Sequence, residues 1–184
     1  MISRVSASDI DLARYISREM YQHPCKSFEE TKWTLPFLEE LLKKYRIPYT
    51  RIPVANGRTY GLRVQINGEM GSGPSVLFRG DMDALPMVPR PNAGVKKGFE
   101  DACHNCGHHY HTGEAFVVTK WFHENRDKFA GIQTIMFQPA EEQPPGGCKD
   151  MMEYMVNVLG DHYDAAVMYH VYPDLPAGKF ALRK

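Results

Sequence analysis

No stretch of this 184-residue chain is apolar for long enough to cross a bilayer, and no cluster of lysine and arginine is dense enough to follow a phosphate backbone. Lys+Arg and Asp+Glu are equal at 22 each, so no bias of sign draws the chain to a nucleic acid or to an anionic membrane. Cysteine is scarce, at four: Cys25, Cys103, Cys106 and Cys148. The opening "MISRVSASDIDLARYI" is polar and acidic where a secretory leader is basic and then apolar. The expected compartment is therefore the cytoplasm, and the cysteines are read as thiols rather than as a disulfide frame. Internal repeats and low-complexity segments are missing too. With 43% hydrophobic residues the chain is long enough for one core and short of two ordinary domains, so a single domain over 1–184 is expected, with small molecules or proteins as partners.

What is present is an alternation of helices and strands. Residues 8–22 read as a helix begun by Ser8 or Asp9. Residues 27–46 read as a second, with Ser27 as N-cap, Glu30 completing a capping box and a kink or restart at Pro36. "YGLRVQI" alternates like a strand, "SVLFRG" is a short apolar one, and the Gly-rich "NGEMGSG" between them predicts a hairpin. Then come a helix over 111–129, a buried strand "GIQTIMFQ", a helix over 146–160 and a second buried strand "YDAAVMYHV". Strand, helix, strand, helix, strand implies right-handed crossovers and a mostly parallel sheet.

Half of all the cysteines and half of the eight histidines lie in nine residues, "CHNCGHHYH" at 103–111. Open α/β sheets collect their sites at the carboxyl ends of the strands. There "SVLFRG" runs into Asp81 and Asp83, "GIQTIMFQ" into Glu141 and Glu142, and "AAVMYH" ends on His170, while the His/Cys stretch precedes a helix at the same rim. Each set has a plain structural reading. Cys103 and Cys106 could form a redox pair or a small zinc knot, a Glu-Glu pair is usually solvated, Asp after a strand usually caps a turn, and a lone histidine is usually a hydrogen-bonded core residue. Their convergence on one rim is what points to a metal site.

At this point the sequence resembles a family, the co-catalytic dinuclear metallohydrolases that include aminoacylases and carboxypeptidases. It is most similar to the amidohydrolase branch containing hippurate hydrolase and plant auxin-conjugate hydrolases. Four motifs carry the likeness in order: "RGDMDALP" (79–86), "HNCGHHYHT" (104–112), "FQPAEE" (137–142) and "YHVYPDLPAG" (169–178). The resemblance implies a three-layer αβα fold of the zinc-exopeptidase type with a mostly parallel mixed sheet. It implies two divalent metal ions held by Cys106 as bridging thiolate and by His108, Glu142 and His170. Glu141 would be the general base toward a metal-activated water, and Asp83 the acid that orients a ligand from behind. The implied substrate is an N-acyl amino acid or small peptide. Thiolate, imidazole and carboxylate together favour zinc, with manganese, nickel or cobalt as alternatives.

Two departures from the family pattern accompany the likeness. The family has Asp after the ligand His, where this chain has His109; that removes an orienting acceptor or supplies a different ligand. The chain also ends at "GKFALRK", near where the family inserts a lid domain and later a last metal-binding His, so the expected fold is a partial catalytic domain without the lid and the C-terminal half. An open sheet edge would then favour a homo-oligomer. Two readings stand: an amidohydrolase, weak or inactive as this polypeptide alone, and a non-catalytic metal-binding or interaction domain derived from one.

Overall fold

In a computed structural model of the chain, residues 6–176 and 178–181 are described. The first five residues of the polar opening stretch, position 177 within the fourth motif and the last three residues of "GKFALRK" lie outside them. The elements run α1 (Ala7–Gln22), α2 (Thr34–Lys44), β1 (Thr50–Val54), β2 (Thr59–Asn67), β3 (Ser75–Asp81), α3 (His108–Glu124), β4 (Ile132–Gln138), α4 (Cys148–Asn157) and β5 (Ala165–Met168). None of these helices is long and apolar enough to cross a membrane.

The first helix starts two residues earlier than the N-cap candidates allowed. Ser6 Oγ accepts from Asp9 N–H at 3.1 Å and the Asp9 carboxylate accepts from Ser6 N–H at 3.2 Å, a closed capping box. The second helix is shorter than expected. A 3-10 turn occupies Glu30–Lys32, α2 begins at Thr34, and Pro36 falls in its first turn, where a missing N–H costs nothing. Ser27 and Glu30 cap no helix; both are buried and bond elsewhere, so a matching S-x-x-E pattern was captured by tertiary contacts.

The sheet has the order β1-β2-β4-β3-β5, with β1–β2 and β2–β4 antiparallel and β3–β4 and β3–β5 parallel. The expected β2–β3 hairpin is not formed, because β4 lies between those strands. The reason is burial. Ile135 and Phe137 of β4 face one core and Met136 faces the other, so this strand needs cover on both faces and takes the centre. The Gly-rich connection runs past its entry instead of turning back, with Gly68 N–H donating to Gly131 O and Gly131 N–H to Gly71 O.

Helices cover both faces, giving three layers. On one side Ile16 and Met20 of α1, Leu38 and Leu42 of α2 and Phe116 of α3 pack on Leu62, Val64 and Ile66 of β2. On the other, Met151 and Met155 of α4 pack with Ile52, Val54, Leu77 and Met136. Each fully buried side chain of this size contributes about 1.5–3 kcal/mol. The crossing of α1 over α3 depends on Gly113, since a Cβ there would lie 2.9 Å from Ala13 O. One expectation of burial fails: β5 is exposed along its length, with Val167 47% and Met168 65% accessible, because among the described residues no helix packs over it as α4 does over β1 at the other edge.

Candidate metal centre

The parallel strands β3, β4 and β5 point the same way, so the loops that leave their carboxyl ends meet at one rim together with the start of α3. His108 is the first residue of α3, directly after Gly107, whose φ of 89° is left-handed. A Cβ on Gly107 would lie 2.3 Å from Val171 Cγ2, so the turn between Cys106 and His108 has room only for glycine.

His108 is buried and occupies the middle of the cluster. Its Nδ1–H donates to Asp83 O at 2.9 Å, which leaves Nε2 with a lone pair. Around Nε2 lie Asp81 Oδ2 at 3.6 Å, Glu142 Oε1 at 3.5 Å and Glu141 Oε2 at 3.7 Å. His170 is held likewise, Nδ1–H to Val171 O at 2.6 Å, with Nε2 3.3 Å from Cys106 Sγ. Ligating imidazoles characteristically donate one N–H to a carbonyl and present the other nitrogen, and both rings are set that way. Among the described residues three groups could grip a cation: Cys106, His108 and His170; His108, Glu141 and Glu142; and Asp81, His108 and His111.

Asp83 sits behind the cluster. Its Oδ2 accepts from Ser27 Oγ at 2.6 Å and from Glu142 N–H at 3.0 Å, and its Oδ1 lies 3.3 Å from His108 Nδ1. Burial alone would raise its pKa, yet the bonds from His108, Glu142 and Ser27 hold it below the ordinary value. Glu30 performs a parallel task beneath the β4 loop. It is fully buried and accepts from Ala140 N–H at 2.8 Å, Phe28 N–H at 3.2 Å and Thr59 Oγ1 at 2.7 Å. Ala140 has a φ of 51°, left-handed and costing about 1–2 kcal/mol for a residue with a Cβ, and this kink aims Glu141 and Glu142.

The electrostatics are those of a site built for positive charge. Burial, and then Glu142, Glu141 and Asp81, push the Cys106 thiol up to about 12. Burial opposes protonation of His108, but Asp83, Asp81 and Glu142 outweigh it and raise its pKa. His108 Nε2 and Glu142 Oε1 are buried without a hydrogen-bond partner, whereas Asp81 Oδ2 is engaged by Arg79 Nη1 at 2.7 Å and Asp83 Oδ1 has His108 Nδ1 at 3.3 Å. A buried acceptor without a partner costs about 1–3 kcal/mol, and His108 Nε2 and Glu142 Oε1, 3.5 Å apart beside a thiol, are donors of the kind a cation could use.

His109 belongs to none of the three metal-capable groups, which corrects its reading as a replacement ligand. Successive helical residues point about 100° apart, so His109 faces away from His108. Its ring packs against Tyr110 (centroids 4.0 Å apart), Tyr21 and His104 (both 5.3 Å) and lines a separate cavity of about 840 Å³ between α1 and α3. Burial, then His111 and His108, push its pKa down to about 4.

The sequence gives no role to His111, and none beyond a helix cap to Ser27 and Glu30. His111 was findable, since it is three residues after His108 on the same helix face. The cysteines are all free, and Cys103 is buried and paired with nothing, so a Cys103–Cys106 disulfide has no support.

A structure described as a dinuclear metal-binding peptidase of family M20 from Bacillus subtilis superposes with a TM-score of 0.80 at 27% identity, covering 93% of this chain and 46% of the other. A putative aminohydrolase from Staphylococcus aureus superposes with a TM-score of 0.74 at 31% identity, covering 89% and 40%. Among curated sequences, an N-acetyldiaminopimelate deacetylase of Priestia megaterium is 33% identical over 92% of this chain and 43% of its own length. An N-acetyl-L-cysteine deacetylase of Bacillus subtilis is 30% identical over 91% and 38%. The chain thus spans well under half of these curated relatives. The profile of peptidase family M20/M25/M40 matches residues 77–184, which carry every ligand-type side chain of the rim, and the chain belongs to that family.

Proposed function

We propose that residues 1–184 form part of a metallohydrolase catalytic domain that hydrolyses the amide bond of an N-acyl amino acid or small peptide. The observation that carries this is the gathering of Asp81, Glu141 and Glu142 carboxylate oxygens within 3.5–3.7 Å of His108 Nε2, with Cys106 and His170 beside the same ring. Relatives named for removing an acetyl group from cysteine and from diaminopimelate support a small acylated amine as the substrate class.

Cys106, His108, Glu142 and His170 would hold two divalent ions, zinc first by ligand softness. Such ions, when bound, supply Lewis acidity that polarises an amide carbonyl and makes water easier to deprotonate. The remaining work belongs to the chain. Glu141 is 38% exposed, so its carboxylate faces solvent and substrate while its Oε2 stays 3.7 Å from His108 Nε2. It accepts the proton of the attacking water and returns it to the departing amine nitrogen, leaving a carboxylic acid and an amine. Asp83 fixes the His108 ring and, through Glu142 N–H, the loop that presents both glutamates. The four free thiols support a reducing, cytoplasmic setting, and the exposed outer edge of β5 supports association of copies.

The test is Glu141→Gln against a panel of N-acyl amino acids with metal content measured in parallel. Turnover falling by about 10²–10⁴-fold at unchanged metal content is the expected result. Equal turnover in the variant, or no turnover by the wild-type chain under any divalent metal, overturns the assignment for this polypeptide.

A further inference from the structure

His111 lies among the metal-capable side chains, yet its bonds commit it to something else. Its Nδ1 is 2.8 Å from Asp81 Oδ1, and a carboxylate can only accept, so Nδ1 carries the proton. Its Nε2 lies 3.0 Å from Val171 N, and a backbone N–H can only donate, so Nε2 is the acceptor. These two partners admit one form, the neutral ring protonated at Nδ1, and both nitrogens are then used. A ring so occupied has no lone pair left for a cation.

Both ends of this clamp are anchored. Asp81 is buried, its Oδ2 is 2.7 Å from Arg79 Nη1, and its backbone oxygen accepts from Thr112 Oγ1 at 2.6 Å. On the other side His111 O accepts from Tyr169 OH at 2.7 Å. The segment Tyr169–Val171 is therefore held to α3 at two points flanking His170. Tyr169 is part-buried, but His170 and Val171 are exposed; the segment lies beyond the last residue of β5, and among the described residues no strand flanks β5 on its outer side. Val171 is the joint. Its N–H is fixed by His111, and its carbonyl accepts the Nδ1–H of His170, which turns His170 Nε2 to within 3.3 Å of Cys106 Sγ.

We propose that His111 is a positioning residue: the Asp81–His111 pair clamps Val171 and thereby sets the direction of the His170 ring toward Cys106. The inference rests on the metal-site reading above for its consequence, but the clamp itself is a property of the metal-free chain. It also assigns different work to the two histidines of one helix face, His108 to hold and His111 to aim.

Long-range ¹H–¹⁵N correlation spectra of the metal-free full chain, with rings assigned by single substitutions, test it first. The expected result is an Nδ1-protonated neutral tautomer for His111, read on the wild-type chain and so independent of whether any variant folds; an Nε2-protonated His111 overturns the clamp. Two substitutions then separate aiming from mere support. In His111→Gln the side-chain oxygen reaches about where Nε2 was and can accept from Val171 N–H. In His111→Asn the amide reaches only Asp81. The Asn variant is expected to move the His170 ring resonances and to weaken zinc binding, measured by competition with a chromophoric chelator, by about 10–100-fold. The Gln variant should stay within a few-fold of wild type. Equal zinc affinity and unmoved His170 resonances in the Asn variant overturn the proposal. A wild-type chain that takes up no zinc overturns the metal-site reading instead, while the tautomer still decides the clamp.

Discussion

Glu30 offers a test of how the rim is supported, because its carboxylate is buried under the β4 loop with no counter-ion among the described residues. Burial is the main cause that raises its pKa, the charge of Asp83 adds to it, and against the bonds from Thr59 and Ala140 the net value is about 7 from an ordinary 4.5. A group whose folded-state pKa lies above its unfolded value contributes stability that is complete below the unfolded value and is lost as the pH rises through the folded one. At about 1.4 kcal/mol per pKa unit, ionising Glu30 in the folded state therefore costs about 3 kcal/mol between pH 4.5 and 7. Glu30→Gln removes that ionisation. Its amide oxygen still accepts from Ala140 and Phe28, and its NH₂ can donate to Thr59 Oγ1, so the loop keeps its support. The assay is urea unfolding of both proteins across about pH 4–8.5, read as the difference between them so that other titrations cancel. The two should be equally stable near pH 4.5, and the variant should gain with rising pH, to about 3 kcal/mol by about pH 8. A difference that stays flat, or a variant less stable than wild type at the alkaline end, would refute the reasoning.

Two further substitutions probe the frame. Arg63 and Asp161 form a largely buried ion pair, Nε to Oδ2 at 2.6 Å, which Tyr163 OH joins at 2.6 Å. Asp161→Ala would leave the guanidinium buried and unpaired and should cost about 3–5 kcal/mol in urea unfolding, whereas a loss below about 1 kcal/mol would mean that water reaches Arg63. In Gly107→Ala the new Cβ meets Val171 in a left-handed turn. We expect a loss of about 1–2 kcal/mol from the backbone alone, together with weakened zinc binding in the chelator competition; an unchanged zinc affinity would separate Val171 from the site.

The helices and strands with clean periodicity were legible in the sequence, as was the rule that residues at the carboxyl ends of parallel strands share a rim. That rule alone brought Asp81, Asp83, Glu141, Glu142 and His170 to one place, because it depends on chain direction and not on side-chain detail. The order of the strands was not legible. Pairing neighbours in sequence gave β2 next to β3, and only the demand of β4 for cover on both faces decides otherwise. Ser27 and Glu30 show the limit of local motifs: their spacing fits a capping box, but Asp83 and Ala140, distant in sequence, offer them better partners. His109 shows the limit of counting ligand types, since one helical step turns it to the far side of α3. The exposure of β5 follows from the lack of a covering helix among the described residues, which its apolar composition could not reveal.

The acid-rich rim makes one more demand that can be measured without catalysis. With its thiol pushed up to about 12, Cys106 carries a proton throughout the neutral range, and the acids around His108 raise its pKa above the usual imidazole value. A metal takes thiolate and neutral imidazole as ligands, so binding must expel the protons these groups carry. At neutral pH the release should include about one proton from Cys106, and the thiol's share should persist as the pH rises through the neutral range. Calorimetry of zinc binding in buffers of different ionisation enthalpy counts them. In Cys106→Ser, whose hydroxyl is not expected to ionise as the thiol does, the count should drop by about one, with weaker binding. Binding that releases no protons at neutral pH would mean that Cys106 is not a ligand, and that the carboxylates around His108 hold the ion without it.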